Sequence, residues 1–100
     1  MVIAVFVRRL REGKTYEDFR AAWMAEKRFG VPTRVVTGQR LDDEREIISI
    51  GFVDIEPEQL QAGFERVADQ EQVRHDRISE VIEPGATRVF YAQLDDDDLS

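Results

Sequence analysis

Proton transfer near neutral pH most naturally begins with imidazole, and the chain holds one, His75, within Arg74-His75-Asp76-Arg77. As a general base it would need an orienting partner. Adjacent residues on a helix point apart, so Asp76 is poorly placed for that role. The competing reading makes His75 an ordinary surface residue of a charged helix. Tyr91 offers a phenol that could give a hydrogen bond or a proton to a substrate oxygen. Arg8 and Arg40 offer guanidinium groups that could hold a carboxylate or an enolate, or could pair with acids at a subunit interface.

Other side chains look suited to shaping a site. Tyr16, Phe19 and Trp23 fall at helical spacing and give one aromatic face. Such a face is either core or the wall of a cavity, and a buried Trp brings an N–H that needs a partner. Thr37, Gln39 and Ser49 interrupt otherwise apolar strand faces, as do Arg8, Arg40, Tyr91 and Gln93. Buried polar groups cost a few kcal/mol unless paired, so these residues belong at a rim or in a network.

Several chemistries are excluded. The chain has no cysteine, which removes disulfides, thiolate metal sites and a cysteine nucleophile. One histidine cannot make a His-rich metal site within one chain. Gly13-Lys14-Thr15 has the end of a phosphate loop, but position 8, where its first glycine belongs, is Arg8. There is no dinucleotide fingerprint and no Ser-centred elbow. Neither a cofactor nor a metal is expected.

The elements that must position these residues follow from periodicity. Residues 2–10 are apolar on both alternating faces until Arg8 and Arg9, as in a strand buried on both sides. Thr15, with Asp18 three residues on, predicts a helix N-cap, and Gly30 with Pro32 predicts the stop. Strands are predicted over 34–41 and 46–55, joined by a polar connection at 42–45. On the second of these, Ser49 and Gly51 share a face suited to close approach by a ligand or another backbone. Pro57 opens a further helical region, with a break predicted near Asp69–Glu71 where the apolar phase slips. Pro84-Gly85 ends it, and 87–94 reads as a last strand.

The order β-α-β-β-α-β is an α+β, ferredoxin-like arrangement: a four-stranded antiparallel sheet with helices on one face. One hundred residues with 42% hydrophobic content suit one domain, taken as residues 1–94, followed by an acidic flexible tail at 95–100. The net charge is −7; Asp95-Asp96-Asp97-Asp98 supply four negative charges, leaving −3 for the remainder. That balance argues against a general grip on nucleic acid. No apolar run approaches the roughly 20 residues needed to span a bilayer, so the expectation is a cytoplasmic protein without membrane contact. Helices can cover only one sheet face, yet the first and third strands are apolar on both. Val2, Ala4, Phe6, Val53 and Val89 were therefore assigned to an exposed patch that a second copy would cover, predicting a homodimer.

This architecture resembles the dimeric α+β barrel superfamily, which includes antibiotic biosynthesis monooxygenases and EthD-like proteins. The segment Gly13-Lys14-Thr15-Tyr16-Glu17-Asp18-Phe19-Arg20-Ala21-Ala22-Trp23 is similar to the EthD-like pattern of a turn, a Phe and a following aromatic. Lys27 stands where that pattern places a His one turn later. The resemblance implies a ligand pocket between helix and sheet, with Tyr16, Phe19, Trp23 and Lys27 on its wall and Thr37, Gln39 and Ser49 opposite. It also implies a small apolar or aromatic ligand. The expected activity is a cofactor-independent monooxygenase or isomerase acting on a small aromatic or polyketide-like molecule, with Tyr91, His75 and Arg8 as catalytic candidates. The alternative is a dimeric module that binds a metabolite, or serves structure, without turnover.

Overall fold

β1 (Val2–Arg9) lies inside the sheet, between β3 (Asp43–Val53) and β4 (Thr87–Ala92), with β2 (Thr33–Arg40) beyond β3. All pairings are antiparallel. The interior placement of β1 and β3 is why these two strands carry apolar residues on both faces. The computed structural model describes residues 1–24 and 30–100. Between β1 and β2 runs α1 (Tyr16–Trp23). Between β3 and β4 run a 3-10 turn (Pro57–Gln59), α2 (Leu60–Arg66) and α3 (Ala68–Ser79). This is the predicted ferredoxin-like α+β arrangement.

Local chemistry explains the boundaries. Gly13 turns the chain with φ +83°, a conformation that costs glycine little. Thr15 then caps α1. Its hydroxyl accepts the Asp18 N–H at 3.3 Å, and the Asp18 carboxylate accepts the Thr15 N–H at 2.9 Å. These bonds hold the Asp18 carboxyl below its usual range, the backbone bond contributing most. α1 ends at Trp23, with Met24 already extended, seven residues before Gly30, the predicted terminator. The β2–β3 connection is tighter than expected. Arg40 pairs with Asp43, so only Leu41 and Asp42 form the loop. The acids have sheet partners: Asp43 accepts from the Arg9 guanidinium and, at 3.1 Å, from the Arg45 N–H.

The helix break falls at Val67 (φ −115°, ψ 14°), two residues before the predicted one. Val73 misled the phase reading. It is 59% exposed and belongs to no buried stripe.

The register divides the sheet cleanly. Val2, Ala4, Phe6 and Arg8 share a face with Ile47, Ser49, Gly51 and Val53. Helices cover that side, where Val2 and Ala4 are buried. Four of the five residues assigned from sequence to the exposed patch are thus on the covered side; only Val89 is on the open one. The open side is formed by Ile3, Val5 and Val7 of β1 and Ile48, Ile50 and Phe52 of β3. Val36 and Tyr91 flank them and are 46% and 53% exposed. Two-sided apolarity was legible, but period-two alternation alone does not say which face the helices choose.

The densest core sits at one end of the covered side. Leu10, Phe19, Ala22, Ile47, Ile78 and Ile82 pack there, with Trp23 against them. α1 and α3 pack on each other above this cluster. Beyond Arg9 the chain is clamped to the segment after α3: Leu10 bridges Ile82, and Glu83 donates its N–H to the Arg9 carbonyl at 2.7 Å. No described helix is long and apolar enough to cross a membrane.

Candidate functional site

The core does not extend under α2. There the sheet and the α2–α3 pair enclose a cavity of about 490 Å³. Its floor is made of small side chains, Ala4, Ser49 and Gly51, which hold the backbone of β1 and β3 back from the helices. A Cβ added at Gly51 would stand 3.6 Å from the Ala4 Cβ and project into this space. The Ser/Gly alternation read from β3 therefore lies at the cavity. Ser49 is buried, and its hydroxyl lies 3.4 Å from that of Thr37.

One wall is aromatic. Phe90 on β4 lies edge-on to Phe6 on β1, centroids 6.1 Å apart, and to Phe64 on α2 at 5.1 Å. Guanidinium groups frame this cluster. Arg88 lies 5.1 Å from the ring centres of both Phe64 and Phe90. Arg8 lies 4.6 Å from the Phe6 centre and 5.4 Å from that of Phe19. Arg88 pairs directly with Phe6 across the β1–β4 ladder. Arg8, two residues along β1, is therefore its diagonal neighbour on the same face. Arg74 reaches in from α3, 5.3 Å from the Trp23 ring, and is paired with Glu71 one turn earlier.

The electrostatics of this wall are one-sided. Among the described lining residues, Arg8, Arg66, Arg74 and Arg88 face a single carboxylate, Glu71. The Arg8 Nη1 is buried without a hydrogen-bond partner among the described residues. Burial, then the charges of Arg74 and Arg88, lower the Arg8 pKa to about 10, with Glu71 opposing. Arg8 still carries its charge at neutral pH.

The cavity brings together Arg8, Trp23, Ser49 and His75 of the residues singled out in the sequence. His75 is exposed on α3 at the cavity's edge. Phe19 is packed in the core at 1% exposure. Tyr16, Thr37 and Gln39 line a different groove of about 680 Å³, between the Gly13–Lys14 turn and the end of the β2–β3 hairpin. That groove is walled largely by polar side chains. Gln39 donates there to the Glu44 carbonyl at 2.8 Å. Tyr91 lies on the open sheet face, opposite the cavity, and Arg40 pairs with Asp42 at 2.6 Å. Lys27 lies outside the described residues.

Sequence reasoning did not single out Phe64, Arg74 or Arg88. Arg88 had a signal: it alternates with Phe90 on one strand face, as Phe6 alternates with Arg8. Arg74 had none, because its place depends on the turn of α3. Among the described residues no cluster of His, Asp and Glu could hold a metal ion.

No protein-family model matches the chain, and no curated protein matches it. Solved structures do. A Nitrosomonas europaea protein, described provisionally as an antibiotic biosynthesis monooxygenase, superposes with a TM-score of 0.70 at 18% identity, covering 94% of this chain and 99% of that one. A NIPSNAP domain protein from Burkholderia xenovorans gives 0.68 at 19% identity, covering 94% and 95%. A protein from Shewanella oneidensis gives 0.63 at 19% identity, covering 92% and 89%. The likeness establishes the ferredoxin-like fold of the dimeric α+β barrel superfamily, as the resemblance in the sequence implied.

Proposed function

We propose that this protein binds a small aromatic or polyketide-like molecule in the cavity beneath α2 and α3 and transforms it without a cofactor, as a monooxygenase or isomerase. The carrying observation is the cavity itself: about 490 Å³, small side chains below, and an aromatic wall topped by the unpartnered Arg8. A flat ring system finds apolar contact there, and a developing oxyanion finds a positive charge in a partly dry site. In the oxygenase form, a ring CH2 made acidic by a neighbouring carbonyl or phenol would lose a proton to His75, and the anion would be held by Arg8. Dioxygen is then the co-reactant: one oxygen atom becomes the new C=O, and the other leaves as water with both hydrogens of the CH2. The monooxygenase description of the Nitrosomonas europaea protein supports this reading. Tyr91, on the other face, has no part in that chemistry within one chain.

We place the protein in a homodimer with the open sheet faces together. Ile3, Val5, Val7, Ile48, Ile50 and Phe52 give an apolar surface of several hundred Å², more than a small monomer usually leaves in water. A standard interface takes roughly 800 Å² from each partner, which such a sheet face can supply.

A second reading, binding without turnover, is favoured by one feature. The described cavity has no buried base, since Glu71 is engaged by Arg74 and His75 is exposed. A thermal-shift screen of phenols, quinones and fatty acids tests binding, because a ligand of the folded state raises the midpoint. Gly51→Val, which fills the floor, should abolish each shift. Oxygen uptake with the hits tests turnover. Uptake that stops in His75→Ala supports the oxygenase, whereas binding with neither uptake nor isomerised product leaves the module. A screen without hits overturns the cavity reading.

A further inference from the structure

We infer that the cavity selects a ligand that already carries a carboxylate at neutral pH, held by Arg8 with Arg88 beside it, and that Arg74 stays occupied by Glu71. The inference rests on the cavity reading above and narrows its ligand class.

Three observations carry it. First, the Arg8 Nη1 is buried and has no hydrogen-bond partner among the described residues. An unpaired buried donor on a charged group is costly, and a ligand oxygen would satisfy it. Second, the charge around it is in excess and permanent: four arginines against one glutamate line the cavity. That glutamate is already committed to Arg74. Arg8 and Arg88 are diagonal neighbours on the β1–β4 pair, so both guanidinium groups flank the same rings. A carboxylate presents two acceptor oxygens in the plane that a guanidinium fork prefers. Third, no carboxylate or imidazole buried in the described cavity stands ready to ionise a weak acid on entry. An excess of cations with no buried base suits a ligand that arrives ionised.

The hydrocarbon part of such a ligand would lie on Phe6, Phe64 and Phe90. The predicted class is therefore an aryl or polycyclic carboxylic acid.

The test compares two probes that share a ring system and differ in charge, 2-naphthoate and 2-naphthamide, titrated calorimetrically at pH 7.5 into the full-length protein. The wild type should bind naphthoate at least tenfold more tightly. Arg8→Met should erase that preference and leave naphthamide affinity within twofold, and Arg8→Lys should restore part of it. Arg88→Met, a more exposed site, should reduce the preference several-fold, and it reports independently if Arg8→Met folds poorly. Equal affinity of the wild type for both probes would overturn the carboxylate inference and leave the cavity reading standing, as would a preference that survives in both variants. Binding of neither probe would overturn both.

Discussion

Replacing Arg8 by Met should make the ligand-free protein more stable, although it removes a charged side chain with two aromatic contacts. The magnitude follows from what holds and what penalises the guanidinium. Burial, with Arg74 and Arg88 nearby, brings its pKa down to about 10 from a usual value above 12. After allowance for the part still in contact with water, the charged form is disfavoured by roughly 2–3 kcal/mol. The stacking on Phe6 and Phe19 returns about 1 kcal/mol. Methionine keeps most of the aliphatic volume and makes sulfur–aromatic contacts of about the same worth. The net gain is about 1–2 kcal/mol, a rise in Tm of roughly 5–10 °C for a domain of this size. Calorimetry without ligand, at matched protein concentration, measures it. The pH dependence has a definite sign. The folded pKa lies below the unfolded one, so the penalty is fully present at pH 6–9 and fades only as pH climbs through about 10. The gain from Arg8→Met should therefore be constant from pH 6 to 9 and shrink above 10. An equal or lower Tm for the variant at pH 7.5 would mean that Arg8 is well satisfied, and the reasoning from its unpartnered nitrogen would fail.

Other consequences can be checked alongside. Thr15→Ala removes the reciprocal cap of α1 and should cost about 1 kcal/mol, seen as a lower Tm, with Thr15→Ser nearly neutral. The Asp43 carboxyl is held below its usual range, first by the Arg9 guanidinium and then by the Arg45 N–H. Its stabilising contribution is present above the unfolded carboxylate pKa and is lost as pH falls through the lower folded value. Asp43→Asn should therefore lower Tm at pH 7 and shrink the loss of Tm between pH 5 and 3. Ile50→Asp, which puts a charge on the open sheet face, should convert the dimer to monomer in light scattering at low micromolar concentration. A wild type that is already monomeric there would refute the proposed interface.

Much of the fold was legible because it rests on local rules. Thr15 and Asp18 announce a capping box whose two bonds are both made. The alternation in β1, β3 and β4 placed each residue correctly relative to its own strand neighbours. What alternation lacks is a sign: nothing in Val2-Ile3-Ala4-Val5-Phe6 says which set meets the helices. That choice depends on the handedness of the crossover and on the register with β3, both long-range. The cavity residues divide in the same way. Arg8 and Ser49 were visible as polar interruptions of apolar faces, and Trp23 as an aromatic at helical spacing. Phe64 and Arg74 became neighbours of β1 and β4 only because the helical region kinks at Val67, and one exposed residue, Val73, was enough to misplace that kink in the sequence.

The charge distribution gives the Arg8 site its meaning. A chain of net charge −7 would be expected to repel an anion, yet its described cavity gathers four arginines around one glutamate. Four of the negative charges lie in the Asp95–Asp98 run, exposed to solvent. At physiological salt the screening length is about 8 Å, so exposed charges farther off act weakly, whereas guanidinium groups in a partly dry cavity are screened much less. Inside, an anion is thus governed by Arg8, Arg74 and Arg88 rather than by the net charge. Evolution toward stability alone would favour an apolar side chain at position 8, on an inner strand beside Phe6 and Phe19. A guanidinium kept there against a cost of some kcal/mol, with a nitrogen left unpaired, is accounted for if a ligand completes it.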